Sequence, residues 1–173
     1  MKPLQLNSCI RDIPDFPKKG ILFKDITTLL NNKQAFARSI DLLAKEFQGK
    51  RIDHVISIES RGFIFGAALA YKLGAGFVPV RKKGKLPGKT KQVSYQLEYG
   101  TDTLEIHDDA IPRGSRVIIV DDLLATGGTV RAVTKLLRSF QAKVVGIAFL
   151  IELTFLKGRS KLKGYPIHAL IQY

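Results

Sequence analysis

The chain has 173 residues, with 28 Lys plus Arg against 15 Asp plus Glu for a formal net charge of +13, and 45% of it is hydrophobic. That is the size of one domain, long enough to bury a sheet between helices, and no uninterrupted apolar run approaches the ~20 residues that span a bilayer. One cysteine, Cys9, excludes an internal disulfide and a CxxC metal knuckle, and the N-terminal stretch MKPLQLNSCIRDIPDF has no signal-peptide core, so a soluble cytoplasmic protein is expected.

In chain order, the first predicted helix covers about residues 34–47, where Phe36, Ile40, Leu43 and Phe47 recur at helical spacing before Gly49. IDHVISI (52–58) reads as a strand, ESRG as a turn, FIFGAALAYKL (63–73) as a mostly apolar helix stopped by Gly74, and GFVPV (76–80) as a second strand. This is a βαβ unit. Residues 81–92, RKKGKLPGKTKQ, then carry Arg81, Lys82, Lys83, Lys85, Lys89 and Lys91 and no acid. VSYQLEYG and TDTLEIHD alternate around Gly100, which predicts an antiparallel hairpin outside the core. RVIIVDD (116–122) is the next strand, GGTVRAVTKLLRSF (127–140) a helix with Val130, Val133, Leu136, Leu137 and Phe140 on one stripe, and KVVGIAFLIEL (143–153) a further strand. The alternation predicts an α/β fold with a central, mainly parallel sheet flanked by helices.

In such sheets a ligand lies at the carboxyl ends of the strands, where helix N-termini converge. Three segments end there: Glu59-Ser60-Arg61, the basic loop after Val80, and Asp121-Asp122. The small-residue loop ATGGT (125–129) can present backbone N–H groups and a helix N-terminus to a phosphate, or be an ordinary strand-to-helix turn. It is neither a Walker loop, since no lysine follows the second glycine, nor a GxGxxG fingerprint. Asp121 and Asp122 could serve as helix caps. Beside a phosphate cradle, however, two acids oppose anion binding, unless the ligand is a ribose 5-phosphate whose hydroxyls donate to them and whose C1 turns electron-deficient. His54, His107 and His168 stand apart without metal-ligand spacing.

The stretch VIIVDDLLATGGT resembles the phosphoribosyl-pyrophosphate motif of type I phosphoribosyltransferases. PDFPKKGILFKDITTLL, ESRGFIFG, RKKGKLPG, SYQLEYGTDTLEI and LIELTFLKGR extend that resemblance, in order, to the adenine-using members of the family. The resemblance implies one type I phosphoribosyltransferase domain over 1–173, with a small N-terminal hood and base-binding segment at about 1–33 and a basic lid and flap at about 81–107. It implies transfer of phosphoribosyl from phosphoribosyl pyrophosphate to adenine, giving AMP and pyrophosphate, in a homodimer that needs neither nucleic acid nor membrane. Magnesium would be held through substrate phosphates with no direct protein ligand.

Residue by residue, the resemblance assigns Ala125, Thr126, Gly127, Gly128 and Thr129 to the 5-phosphate and Asp121 and Asp122 to the ribose. Arg61, Arg81, Lys82 and Lys85 go to the pyrophosphate, with Tyr99 beside the anionic groups. Leu22, Phe23, Lys24 and Leu153 go to adenine, Phe23 stacking on the ring and Leu153 closing its other face. Family members often have Arg where this chain has Lys24, which lacks the planar fork, so backbone contacts are what that position retains. Relatives using hypoxanthine and guanine usually place an acid where Ala125 stands, and alanine cannot serve a base nitrogen. Glu98 on the flap is therefore nominated to handle a proton at N7. The remaining readings are an enzyme for another base and a nucleic-acid-binding regulator on the same fold.

Overall fold

A computed structural model describes residues 5–96 and 100–173. An N-terminal antiparallel pair, β1 (Arg11–Pro14) and β2 (Leu22–Asp25), leads through the short helix α1 (Thr27–Asn31) into α2 (Lys33–Lys45). Asn32 caps α2 by accepting from the N–H groups of Gln34 and Ala35 at 3.1 Å, so this helix begins slightly before the predicted 34 and frays into turns before Gly49. Then follow β3 (His54–Ile58), α3 (Gly62–Leu73), β4 (Gly76–Lys82), β5 (Thr90–Gln96), β6 (Thr101–His107), β7 (Arg116–Leu124), α4 (Gly128–Arg138), β8 (Lys143–Glu152) and β9 (Ile167–Gln172). Gly74 closes α3 in the left-handed region, as its place after the apolar run predicts.

Apart from the β1–β2 pair, the strands form one sheet in the order β5-β6-β4-β3-β7-β8-β9, with β3–β4, β3–β7, β7–β8 and β8–β9 parallel. Successive residues of β7 serve opposite layers. Ile118 and Val120 join α2 and α3 on one face, while Val117 and Ile119 join α4 on the other. The chain leaves β3 through α3 toward β4 on one side and leaves β7 through α4 toward β8 on the other. The two central strands thus diverge at their carboxyl ends and open a crevice there.

The predicted hairpin is present as β5–β6, but it is not wholly outside the core. It joins the sheet edge through Arg81↔Glu105 and Lys82↔Leu104, and Leu104 and Ile106 are buried in the layer under α4. Alternation explains this: once β4 fixes β6, its inward positions must be apolar. The base of the hairpin is pinned to α4, because Lys91 Nζ donates to the Ser139 carbonyl at 3.2 Å and stands 4.0 Å from the Phe140 ring centroid. Among the described residues no helix is long and apolar enough to cross a membrane.

Candidate active site

The crevice at the ends of β3 and β7 is a cleft of about 540 Å³, bounded by Phe23, Arg61, Lys82, Tyr95, Asp121 and Asp122 among others. Beside it, residues 123–130 and Asp121 enclose a small cavity of about 70 Å³ at the start of α4. Gly127 stands at the N-cap of α4 and offers no side-chain cap, so the N–H groups of the helix's first turn are left for a ligand. The loop needs glycine on steric grounds. Gly127 has φ +76°, and a Cβ there would stand 2.5 Å from the carbonyl oxygen of Gly158. The segment after β8 presses on the loop from behind, held by Arg159, which donates to both Glu152 carboxylate oxygens at 2.7 Å and to the Ile167 carbonyl at 3.0 Å.

Asp121 and Asp122 lie near the carboxyl end of β7, Asp122 two residues before its last, and the residues before them, Val117–Val120, are fully buried, each contributing roughly 1.5–3 kcal/mol. That apolar stretch offsets the several kcal/mol that a buried charge costs. Burial first, and the neighbouring carboxylate second, push Asp121 well above the usual carboxylate range. Asp122 is also raised by burial, against the pull of Arg61, whose Nε lies 2.8 Å from Asp122 Oδ2. The Arg61 contact is an ion pair without hydrogen-bond alignment, and Asp122 Oδ2 is left as a buried acceptor with no donor. The site is built to receive hydroxyl donors or positive charge. Helix α3 comes close because position 62 is glycine: a Cβ there would meet Asp121 Oδ1 at 2.7 Å.

The basic loop is organised by two carboxylates whose roles the sequence reading does not assign. Glu59 accepts from Arg81 Nε and the Lys82 N–H, both at 3.2 Å, and from Lys85 Nζ at 2.5 Å. Burial alone would raise its carboxyl, but the bonds from Lys85, Arg81 and Lys82 outweigh it and bring it to about 2. Glu105, 2% exposed, accepts the N–H groups of Lys85 and Leu86 at 3.0 Å. Of the cations expected at a pyrophosphate, Arg61 and Lys82 line the cleft, Lys82 pairing with Asp102 at 3.3 Å, whereas Arg81 and Lys85 turn to Glu59.

Of the four residues expected at the base, Phe23 alone lines the cleft, with the Arg61 guanidinium 5.1 Å from its ring centroid. Lys24 turns away, because alternation along β2 puts it opposite Phe23. Its Nζ pairs with Asp12 Oδ1 at 2.7 Å and sits 3.6 Å from the Tyr173 ring centroid. Leu22 is half exposed, and Leu153 packs at the margin of the α2–α3 layer. Glu98 and Tyr99 lie outside the described residues. Tyr95, which sequence reasoning passes over, lines the cleft with its hydroxyl 3.4 Å from Thr129 Oγ1. The regular alternation of the flap strand was the available signal, since Val93 and Tyr95 share its inward face. Among the described residues no group of three or more His, Cys, Asp or Glu side chains could hold a metal.

A phosphate cradle and paired acids at the switch point of a parallel sheet define a transferase acting on a phosphorylated ribose. Residues 25–165 match the phosphoribosyl transferase domain, and the chain belongs to that family. It is 58% identical to an adenine phosphoribosyltransferase of Acidobacterium capsulatum over 97% of this chain and 93% of the relative. A crystal structure of adenine phosphoribosyltransferase from Thermoanaerobacter pseudethanolicus superposes with a TM-score of 0.94 at 59% identity, covering 97% and 98% of the two chains. The Saccharomyces cerevisiae adenine phosphoribosyltransferase, crystallised with adenine and an imino-altritol bisphosphate, gives 0.90 at 46% identity over 95% and 96%.

Proposed function

We propose that this protein transfers the 5-phosphoribosyl group of phosphoribosyl pyrophosphate to N9 of adenine, forming AMP and pyrophosphate. The observation that carries the reading is one cleft holding a glycine-tight phosphate loop and two adjacent, electrically under-compensated acids, in a chain nearly 60% identical to adenine phosphoribosyltransferases over almost its full length. The bond from C1 to the pyrophosphate oxygen breaks, its electron pair leaving with pyrophosphate, and the bond from C1 to N9 forms. Positive charge develops at C1. Asp121 and Asp122, in place to accept from the ribose hydroxyls, stabilise that charge best in the transition state, where it is largest.

Ala125 to Thr129 bind the 5-phosphate through backbone N–H groups and the hydroxyls of Thr126 and Thr129. Arg61 and Lys82 meet the pyrophosphate at once, and Arg81 and Lys85 reach it by exchanging Glu59 for substrate oxygens. Phe23 offers its ring to adenine, with β2 backbone and Leu153 completing the base site. Adenine must lose one proton as N9 is substituted, and Glu98 on the flap takes it at N7, with Tyr99 beside the leaving group.

The donor set suits magnesium. Held through substrate phosphates, that cation would keep several waters and need no carboxylate of the chain. When bound it neutralises pyrophosphate charge. Exposed Ile64 and Tyr71, seven residues apart on α3, and exposed Phe77 on β4 support a homodimer. We place the enzyme in the cytoplasm, with the hood over about 1–33 and the lid and flap over about 81–107.

An assay of purine and pyrimidine bases with phosphoribosyl pyrophosphate and magnesium tests the reading. AMP should form from adenine with little product from hypoxanthine, and equal turnover of both would overturn the base assignment. Glu98→Gln should lower kcat by roughly 10²-fold or more while changing KM little, as removal of a proton-transfer group does; an unchanged kcat removes Glu98 from the chemistry.

A further inference from the structure

Outside the cleft, a groove runs along the exposed face of α4. Its wall on one side is Arg131, Lys135 and Arg138, spaced so that they stack on one helical face; on the other side stand Lys161 and Lys163. Two adjoining hollows of about 420 and 330 Å³ share Arg131, Lys135 and Lys161. Among the described residues no Asp or Glu lines either one. The cations of the catalytic cleft show the contrast: Arg61, Lys82, Arg81 and Lys85 each meet a carboxylate. Among the described residues, none of the five groove cations forms an ion pair with any acid of the chain. Like charges stacked three and four residues apart repel, and a second element here brings two more cations to face them.

The groove abuts the phosphate loop. Gly128, the first residue of α4, lines both the loop cavity and the larger hollow, and Tyr95 lines both that hollow and the catalytic cleft. From Arg131 to Arg138 the helix rises only about 10 Å, over which a nucleic-acid strand at 3.4 Å per phosphate brings roughly three charges. Five cations on that length suit a denser anion.

We propose that this groove is a second anion site, separate from the catalytic one, that takes an oligophosphate chain: consecutive phosphoryl groups, borne either by a nucleoside triphosphate or by an inorganic polyphosphate. The phosphoryl oxygens accept from Arg131, Lys135, Arg138, Lys161 and Lys163, and the exposed rim makes binding salt-dependent.

Calorimetric titration of the full-length protein with sodium tripolyphosphate tests this. Two classes of site are expected. In Lys135→Glu/Lys161→Glu one class weakens tenfold or more while AMP affinity stays within twofold, which also reports that the variant is folded; Lys135→Gln/Lys161→Gln should weaken the same class by less. Arg81→Ala/Lys82→Ala should remove the other. A single class, or two classes untouched by the Lys135 and Lys161 changes, overturns the proposal. Repeating the titration with ATP separates the sources: tighter groove binding of ATP assigns the nucleotide, and weaker assigns the inorganic chain. A single-stranded RNA dodecamer that loses affinity in the groove variants, where tripolyphosphate shows no groove binding, overturns the oligophosphate assignment in favour of nucleic acid.

Discussion

The two halves of the cleft are constructed differently. On the β7–α4 side the groups proposed to meet the ligand are backbone N–H groups and two carboxylates, and Gly62, Gly127 and Gly158 let neighbouring segments approach so closely that a methyl group at any of them would collide. On the β4–β5 side they are long cations, and each is held by an acid of the protein itself: Arg81 and Lys85 by Glu59, Lys82 by Asp102. The first half is preorganised, so its contribution costs no rearrangement when charge develops. On the proposed reading the second half would exchange one counter-ion for another, which suits a group that must bind pyrophosphate and then release it.

The difference can be broken most severely at Asp121. Asp121→Asn should lower kcat by about 10²–10³-fold, the range for losing one preorganised electrostatic group, and should also stabilise the fold. Its pKa is raised, so the native state binds the proton more tightly than the unfolded chain, and stability is lost as pH rises above the ordinary carboxylate value. Removing the charge at neutral pH should lift Tm by roughly 2–4 °C per kcal/mol recovered. A thermal melt at pH 7 checks this, and a lower Tm would show that the acid is not under-compensated. The same shift predicts that kcat/KM for phosphoribosyl pyrophosphate falls on the acid side at a pH above that of a free carboxylate.

Gly127→Ala comes next. A left-handed φ and the nearby Gly158 carbonyl leave no room for the methyl, and displacing the loop by about 1 Å should cost roughly 10²-fold in kcat/KM. Kinetics that match the parent would mean that the cradle is not rigid. The smallest effect belongs to the other half. In Glu59→Gln, Arg81 and Lys85 lose their internal counter-ion, and inhibition by pyrophosphate should tighten by roughly threefold, within the modest value of partly exposed ion pairs, with kcat unaltered. The pH dependence of stability should change with it. A carboxyl held at about 2 adds stability that is complete above its ordinary 4.5 and disappears as pH falls toward 2, so the variant's stability should vary less across that window. Unchanged inhibition would remove Arg81 and Lys85 from the pyrophosphate site.

How much of this is legible in the sequence depends on whether a feature is local. The run from Val117 to Leu137 announces its strand, loop and helix, because apolar period, paired acids and glycines all lie within 21 consecutive residues. Three strands are not announced. The predicted elements stop at Leu153, yet β9 pairs with β8 over Ile167–Gln172, six residues whose strand identity comes from a partner already in place. The β1–β2 pair is likewise short and mostly exposed. Lys24 shows a local signal left unused, since strand alternation alone sends it to the face opposite Phe23. Glu59 and Glu105 show the converse. Nothing near either one reveals that it gathers the backbone and side chains of a basic loop more than 18 residues away.

Lys91 gives the flap a fulcrum. With its base fastened to the C-terminal end of α4, strand β5 becomes a lever whose arm from Lys91 to Gln96 is about 17 Å long. A tilt of about 10° at that anchor would sweep the far end by roughly 3 Å, the span of a hydrogen bond. Such a tilt would leave all seven β5–β6 pairs intact, turning on one lysine contact 48 residues distant in sequence from its acceptor.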